Sequence, residues 1–150
     1  MEKFDVVIIG SGPGGYIAAI RSGQLGLKTA LVEKDKDLGG TCLNVGCIPS
    51  KALLTSSDHF MFVKKEAAKH GIVINDAHVD LAKMQQRKDK VVKTFNGGVR
   101  SLMKTNKVTV LEGLGTITAP GKVSIKSSKG ETQEIETKNN VIATDRKSVV

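Results

Sequence analysis

Aromatic residues are scarce in this chain of 150 residues, which contains four Phe, one Tyr and no Trp. A hydrophobic core must therefore be built mainly from Val, Ile, Leu and Ala. The scarcity of aromatic residues also affects how the formal net charge of +8 is interpreted. Proteins that bind single-stranded nucleic acids stack bases on aromatic side chains beside basic ones, whereas the lysines here are scattered among acids. The charge favours a solvated basic surface that attracts anions, and we expect no nucleic-acid partner.

Long apolar runs are also missing. No segment approaches the ~20 apolar residues that span a bilayer, and the apolar part of MEKFDVVIIG is too short and wrongly flanked for a secretory signal. We therefore expect no membrane association and a cytoplasmic, bacterial location. Disulfide staples are rare in such a reducing compartment, so two cysteines in one short segment need another explanation.

Two short apolar segments near the N-terminus indicate buried strands. Phe4 to Ile9 ends at a glycine turn, a helix is predicted from Pro13 to Leu25, and Thr29 to Glu33 follows the turn at Gly26. A strand, a crossover helix and a second strand form a βαβ unit, whose strands are parallel. The sequence therefore predicts an α/β fold.

The middle of the chain is predicted to be helical. After a polar, Gly-rich loop, one helical stretch is expected from about Cys42 to Lys69, with a break near residues 56–58. Asp80 is the predicted N-cap of a long amphipathic helix that continues through Lys104.

The last third of the chain is predicted to form strands. The segments VTVLEGLGTI, KVSIKSS and TQEIET alternate apolar and polar residues, which predicts a small antiparallel meander with turns at Pro120-Gly121 and Lys129-Gly130. The segment NNVIAT, at residues 139–144, predicts a final buried strand.

Gly10, Gly12 and Gly15 form the pattern G-x-G-x-x-G between the first predicted strand and helix. In that context the first glycine permits a tight turn, the second lets the backbone approach a pyrophosphate, and the third lets helix and strand pack closely. The helix N-terminus presents N–H groups and partial positive charge to an anion, and Pro13 suits the first helical turn. The pattern predicts a dinucleotide site.

Glu33 ends the second predicted strand, about 20 residues after the glycines, where dinucleotide-binding folds place an acid. A carboxylate at this position accepts hydrogen bonds from ribose hydroxyls and repels a 2′-phosphate. The sequence therefore favours FAD or NAD over NADP.

Cys42 and Cys47 are the only cysteines. They cannot complete a four-ligand zinc site, and His59, His70 and His78 lie at no suitable spacing, so no metal is expected. A staple closing so small a loop adds little stability. In a regular helix the pair would be roughly 7.5 Å apart along the axis, beyond the ~7 Å that a disulfide allows. The cysteines therefore bridge only if the helical turn is distorted, which favours a reducible bond.

Residues beside the pair favour redox chemistry. Gly46 supplies the backbone freedom that a distorted turn needs, and the start of a helix favours a reactive thiolate at Cys47. Lys51 lies four residues further on, on the same helical face, where its charge is placed to stabilise a thiolate or a reduced flavin. We interpret Cys42 and Cys47 as a reacting pair.

Several segments together resemble a known family. VVIIGSGPGGYIAA, Glu33 and GGTCLNVGCIPSKALL resemble the FAD-dependent pyridine nucleotide–disulfide oxidoreductases. LNVGCIPSK and FNGGVRSLMKTNKVTVLEGLGTI are most similar to the dihydrolipoamide dehydrogenase branch. Glutathione and mercuric reductases differ from it, because their cysteine segment usually reads V-N-V-G-C-V-P. The resemblance covers residues 1–144 and implies a Rossmann-like FAD-binding domain with a parallel sheet plus a small antiparallel meander.

The resemblance also implies roles for the matching residues. Cys47 is implied to be the thiol next to the flavin, and Cys42 the thiol that exchanges with the substrate. Glu33 is implied to hold the adenosine ribose. The residues implied to bind FAD are Gly10, Gly12, Pro13, Gly14, Gly15, Glu33, Lys34, Gly39, Gly40, Thr41, Lys51, Gly115 and Thr144.

In the enzymes of this branch, dihydrolipoyl groups reduce the cysteine disulfide, the dithiol reduces FAD, and FADH₂ passes hydride to NAD⁺. The resemblance therefore implies that this chain binds FAD and is a fragment, inactive alone, of an enzyme whose further domains bind NAD⁺ and form a homodimer. The implied partners are the lipoyl domains of dihydrolipoyl acyltransferase. Two alternatives stay open: a relative that acts on glutathione or mercury, and a non-catalytic FAD-binding module.

The end of the chain departs from the family pattern. The family reads A-T-G-S after the last strand, whereas this chain reads ATDRKSVV. One nucleotide spelling of residues 145–150 reads like a common sequencing adapter. We therefore expect a truncated FAD-binding domain at residues 1–144 and a non-native tail at residues 145–150, exposed at the surface.

Overall fold

Runs of branched aliphatic residues form the strands at the centre of the fold. The computed structural model describes residues 1–145. Their strands are β1 (Glu2–Ile9), β2 (Thr29–Glu33), β3 (Thr109–Glu112), β4 (Leu114–Ala119), β5 (Lys122–Lys126) and β6 (Thr132–Ile142). Their α-helices are α1 (Pro13–Gln24), α2 (Gly40–Asn44), α3 (Cys47–Lys65) and α4 (Leu81–Thr105), and a short 3₁₀ helix spans Ala67–His70.

These strands form one mixed sheet in the order β3-β2-β1-β6-β5-β4. The first four in that order are parallel, and β5 pairs antiparallel with both β6 and β4. The parallel part has the 3-2-1-4 start of a doubly wound dinucleotide-binding sheet, with β6 as its fourth strand. The predicted fold class, a Rossmann-like parallel sheet with a small antiparallel meander, is confirmed.

Two hydrophobic clusters hold the sheet between its covering layers. On one face Val6, Ile8 and Leu31 pack against α1, α2 and α4, where Met103 is almost fully buried. On the other face Val7 and Val32 pack against residues of β5 and β6. Burial of each large aliphatic side chain contributes about 1.5–3 kcal/mol, so both layers depend on β1 and β2.

Some predicted elements differ from the structure. VTVLEGLGTI is divided at Gly113, whose φ is +151°; its first half joins the parallel sheet as β3 and its second half is β4. TQEIET and the first four residues of NNVIAT are parts of one strand, β6, which pairs with β5 at its start and with β1 along most of its length. The predicted burial of NNVIAT was wrong, because Val141 and Ile142 are 38 % and 68 % exposed.

The predicted helix from Cys42 to Lys69 is interrupted between the two cysteines rather than near residues 56–58. Val45 and Gly46 separate α2 from α3, and Gly46 has φ −107° and ψ −101°, outside the helical region. The Asp80 N-cap is confirmed, because its side chain accepts a hydrogen bond of 3.0 Å from the Lys83 N–H. Across residues 1–145, no helix combines the length and apolar character needed to cross a membrane.

Candidate functional site

A cavity of about 850 Å³ opens at the carboxyl ends of β1, β2 and β6. Ligands of open α/β sheets bind at this edge, beside the strand from which the chain winds in both directions, and the volume lies at the upper end of the roughly 300–1,000 Å³ range of small-molecule sites. The predicted site residues that line the cavity are Gly10, Gly12, Pro13, Gly14, Glu33, Lys34, Gly40, Thr41, Cys42, Gly115 and Thr144. Those outside its wall are Gly15, Gly39, Cys47 and Lys51.

The glycines of the motif have two different structural roles. A Cβ at Gly10, where φ is +100°, would lie 2.6 Å from the Ala143 carbonyl oxygen, and one at Gly15 would lie 1.8 Å from the Gly10 carbonyl oxygen. These two glycines allow main chains to touch. A Cβ at Gly12 or Gly14 would meet nothing within 4 Å. The open space lies beside the N-terminus of α1, whose first N–H groups have no partner inside the helix.

Glu33 is buried at the end of β2 with 7 % of its surface exposed. Its Oε2 accepts hydrogen bonds from the Ser11 N–H (2.8 Å) and the Ser11 hydroxyl (2.6 Å), and its Oε1 accepts one from the Asp35 N–H (3.1 Å). Burial raises the pKa of Glu33, but these hydrogen bonds outweigh burial and hold the pKa below its usual value. The carboxylate is therefore charged at neutral pH and faces the cavity.

Ser11 is a site residue that the sequence interpretation missed. It is fully buried, and its hydroxyl donates to Glu33 and accepts from the Gly39 N–H at 3.2 Å, while its carbonyl oxygen accepts from the same N–H at 3.0 Å. Ser11 thus joins the glycine turn, the β2 acid and the loop before α2. Its place between two motif glycines was the available signal, because any polar side chain there lies at the strand edge.

The loop after β2 is brought against the glycine turn at Gly40. A Cβ at this position would lie 2.8 Å from the Gly12 Cα, so only a glycine allows the two main chains to approach this closely. Lys34 and Thr41 are exposed on the cavity wall. Gly39 stabilises this close approach, because its N–H donates hydrogen bonds to the hydroxyl and carbonyl oxygens of Ser11.

Cys42 lies within α2 and lines the cavity, whereas Cys47 is the first residue of α3 and is exposed. Both are free thiols in this structure and contact each other through a hydrogen bond, which is the main reason that the pKa of Cys42 is raised. Burial and the charge of Cys47 act in the same direction. The Cys42 thiol therefore gives up its proton less readily than an isolated cysteine does.

Lys51 is exposed one turn along α3 from Cys47. Its positive charge lowers the pKa of Cys42, although by less than the neighbouring thiol raises it. The structure thus places Lys51 close enough to affect Cys42 and outside the cavity wall.

The far wall of the cavity comes from β4 and the end of β6. A Cβ at Gly115 would lie 3.0 Å from Val32 Cγ1 and 3.2 Å from Ile9 Cγ2, so this glycine allows β4 to cross β1 and β2. Ile142 and Leu114 line the same wall with 68 % and 56 % of their surfaces exposed. Sequence interpretation missed these two apolar residues, since their exposure follows from the folding of β4 over the sheet.

No three His, Cys, Asp or Glu side chains of residues 1–145 are grouped closely enough to hold a metal ion. Asp145, the last described residue, is exposed and lines the cavity. The rest of the expected non-native tail, residues 146–150, lies outside the described residues.

Comparison with known proteins identifies relatives. Residues 4–148 match the family model described as pyridine nucleotide-disulphide oxidoreductase. The chain is 52% identical over 141 residues to the mitochondrial dihydrolipoyl dehydrogenase of Canis lupus familiaris and 49% identical over 143 residues to that of Pisum sativum. It is 50% identical over 143 residues to the leghemoglobin reductase of Vigna unguiculata. These matches cover 93%, 95% and 95% of the chain and 28%, 28% and 27% of the relatives.

The relatives correct one expectation and confirm another. The two dihydrolipoyl dehydrogenases are mitochondrial proteins of an animal and a plant, so the expected bacterial cytoplasmic location was wrong. The resemblance to the dihydrolipoamide dehydrogenase branch is confirmed by about 50% identity along most of the chain, which spans about 28% of the length of these curated relatives. With the family model matched over residues 4–148, the chain belongs to the pyridine nucleotide-disulphide oxidoreductase family.

Proposed function

We propose that this chain is the FAD-binding part of a flavoprotein disulfide oxidoreductase of the dihydrolipoyl dehydrogenase type. The observation that carries the proposal is one cavity bordered by an open glycine turn, a buried charged acid and a cysteine of a hydrogen-bonded pair. A dinucleotide site alone would account for the first two features. The thiols beside it point to electron transfer to and from sulfur.

The residues present fit FAD. The space left open at Gly12 and Gly14 accepts a pyrophosphate against the N-terminus of α1. Glu33 faces the adenosine end, where a carboxylate with remaining lone pairs accepts a ribose hydroxyl. Gly40 and Thr41 continue the wall toward Cys42, which supports a flavin end of the cofactor near the cysteine pair. When bound, FAD would supply a two-electron acceptor for the reduced cysteine pair, from which NAD⁺ would take the electrons.

The cysteines do the chemistry at sulfur. A substrate thiolate attacks one sulfur of an oxidised Cys42–Cys47 pair, the S–S bond breaks, and the second substrate thiol then closes the substrate disulfide. Two electrons and two protons pass from the substrate dithiol to the two cysteines. We propose that the substrate thiolate attacks Cys42 and that Cys47 contacts the cofactor, which are the roles that the family resemblance implies for these two positions. The cavity wall, which includes Cys42 but not Cys47, does not carry this assignment.

For the substrate we propose dihydrolipoyl groups, because the relatives that are about 50% identical are named dihydrolipoyl dehydrogenases. Lipoyl domains of dihydrolipoyl acyltransferases then follow as partners, within 2-oxo acid dehydrogenase complexes. We also propose that NAD⁺ binding and a homodimer interface belong to the portion of the relatives' length that this chain does not span.

An absorbance spectrum tests the proposal. The purified chain is mixed with FAD, freed of excess cofactor and titrated with one equivalent of dithionite under argon. We expect a retained yellow flavin spectrum, and a new long-wavelength band after reduction that requires both flavin and thiolate. A colourless chain would overturn FAD binding, and a flavin that bleaches without the new band would indicate an FAD-binding module without disulfide chemistry.

A further inference from the structure

Asn96 is a polar residue on the buried face of α4. Only 7 % of its surface is exposed, and Val99 and Met103 on the same face pack in the hydrophobic core. An amide in such surroundings costs about 1–3 kcal/mol unless it is hydrogen-bonded. The partners of Asn96 therefore show what it holds in place.

The Asn96 side chain binds the segment that carries Cys42. Its Nδ2 donates to the Leu38 carbonyl oxygen at 2.7 Å and to Asn44 Oδ1 at 3.3 Å. The Asn44 Nδ2 donates in turn to the carbonyl oxygens of Leu38 and Gly40, both at 3.0 Å. The network encloses the single turn of helix in which Cys42 lies.

A second side chain of α4 holds the same loop. Arg100, one turn after Asn96, donates from Nη2 to the Lys36 carbonyl oxygen. Four residues of helix advance about 6 Å, so the two donors reach different carbonyls of the same loop, at positions 36 and 38. On the opposite side, the Gly39 N–H is held by Ser11.

This anchoring matters because α2 is too short to be stable by itself. It has five residues, far fewer than the ~12–15 needed for an isolated helix to be even marginally stable. Val45 and Gly46 separate it from α3, which begins with Cys47. The placement of Cys42 against Cys47 therefore depends on what fixes α2 from outside, and a disulfide tolerates little error in that placement.

We infer that Asn96 is a positioning residue for the redox cysteines. By holding Leu38 and Asn44, it sets Cys42 at the distance from Cys47 at which the two sulfurs can form a disulfide. The inference rests on the proposed disulfide function. It concerns a residue 49 positions after Cys47 in the sequence, on a helix that lines no part of the cavity among the described residues.

The helix also offers a matched control. Arg87 donates from Nη1 to the Ala52 carbonyl oxygen at 2.9 Å and to Ser56 Oγ at 3.3 Å, so it joins α4 to α3 well away from Leu38 and α2. Arg87→Met removes hydrogen bonds between α4 and its neighbour, as Asn96→Leu does, but leaves the Asn96 network intact. Asn96→Thr keeps a hydroxyl donor near Leu38 and serves as the conservative variant.

The experiment measures the thiol–disulfide equilibrium of the 150-residue chain and these variants in glutathione buffers. Glutathione disulfide takes two electrons and two protons from Cys42 and Cys47, and alkylation followed by mass spectrometry counts the remaining thiols. The alkylation rate of each cysteine as a function of pH, resolved by mass spectrometry, reports the titration of Cys42. Urea unfolding gives the stability of each chain, and far-ultraviolet circular dichroism shows that it is folded.

We expect Asn96→Leu to lower the equilibrium constant for disulfide formation by about fivefold, the equivalent of one hydrogen bond of average strength. The Cys42 titration should shift down toward its ordinary range as the thiol–thiol hydrogen bond loosens. Arg87→Met should lose stability with an unchanged redox equilibrium, and Asn96→Thr should restore most of the wild-type value. If Asn96→Leu does not fold, Asn96→Ala takes its place.

The outcomes separate the two hypotheses. Equal redox constants for Asn96→Leu and wild type, or an equal effect of Arg87→Met, would overturn the positioning role while the proposed function stands. A wild-type chain that forms no Cys42–Cys47 disulfide would overturn the proposed function, and with it the positioning role that rests on that function.

Discussion

The hydroxyl of Ser11 lies 2.6 Å from Oε2 of Glu33, and both side chains are buried. The two residues are 22 positions apart, one in the turn after β1 and the other at the end of β2. Their hydrogen bond fixes the charged acid against the glycine turn, where we propose that the pyrophosphate binds. A preorganised acid reduces the ordering that binding requires.

Ser11→Ala should destabilise the chain by about 1.5–3 kcal/mol, because it removes a buried hydrogen bond to a charged group. It should also raise the pKa of Glu33, since the Ser11 hydroxyl is the strongest of the contacts that lower it. Urea unfolding measures the first effect, and NMR titration of the Glu33 side chain the second. An unchanged Glu33 titration would contradict the assigned hydrogen bond.

Glu33 should make stability depend on pH in one direction. Because folding lowers its pKa, the ionised acid contributes stability that is complete above the usual glutamate value and is lost as the pH falls through the folded pKa. The difference in unfolding free energy between wild type and Glu33→Gln should therefore shrink from neutral pH to about pH 3. Asp5 and Glu136 also have lowered pKa values, but both are present in the two chains and cancel.

Gly12→Ala and Gly15→Ala should fail in different ways. The added methyl at Gly12 points into open space where we propose the pyrophosphate, whereas at Gly15 it would lie 1.8 Å from the Gly10 carbonyl oxygen. Gly12→Ala should keep the stability of the chain without FAD and weaken FAD binding at least tenfold. Gly15→Ala should lower stability itself. Calorimetric titration with FAD and urea unfolding separate the two effects, and the same loss of stability in both variants would contradict this division.

The sequence predicted the structural features that depend on residues close together in the chain. The β1–α1–β2 unit, the glycine turn, the Asp80 cap and the cysteine pair follow from apolar periodicity, turn glycines and capping chemistry, which act over a few residues. The interruption at Val45 and Gly46 had a local signal in Gly46 and Pro49, which are poor helix formers, but the predicted break was set at residues 56–58 instead. The Asn96 network holds the segment before that interruption, and Asn96 is 52 positions from Asn44.

Long-range pairing explains the other differences. Predicting β3 as part of a meander failed because alternation of apolar residues is the same in parallel and antiparallel strands. The turn at Gly113 sends β3 and β4 to opposite edges of one sheet, which only the whole topology determines. The exposed Ile142 and Leu114 in the cavity wall are a consequence of the same topology, since hydrophobicity alone predicts burial for both.

Cys42→Ser and Cys47→Ser should give different spectra in the FAD-loaded chain. With Cys42 replaced, Cys47 has no disulfide partner and its thiolate remains next to the proposed flavin position, so the long-wavelength band should be present without reduction. With Cys47 replaced, the band should be absent before and after dithionite. Titration with a thiol reagent controls for the number of free cysteines. Identical spectra from the two variants would show that the assignment of roles is wrong.

Asp145 should weaken cofactor binding through its charge. It is exposed on the wall of the cavity that holds the proposed pyrophosphate site, and two like charges near a solvated surface repel each other by a modest amount. Asp145→Asn removes the charge at nearly constant size and should tighten FAD binding about twofold to fivefold, the scale of exposed charge pairs. The gain should diminish at high salt, because mobile ions screen exposed charges.

Asp145→Gly additionally frees the backbone, where the family pattern has a glycine, so any further gain over Asp145→Asn measures main-chain approach to the cofactor. Calorimetric titrations at low and high salt provide the comparison. Equal FAD affinities of wild type and Asp145→Asn at low salt would show that this carboxylate does not face the bound phosphates.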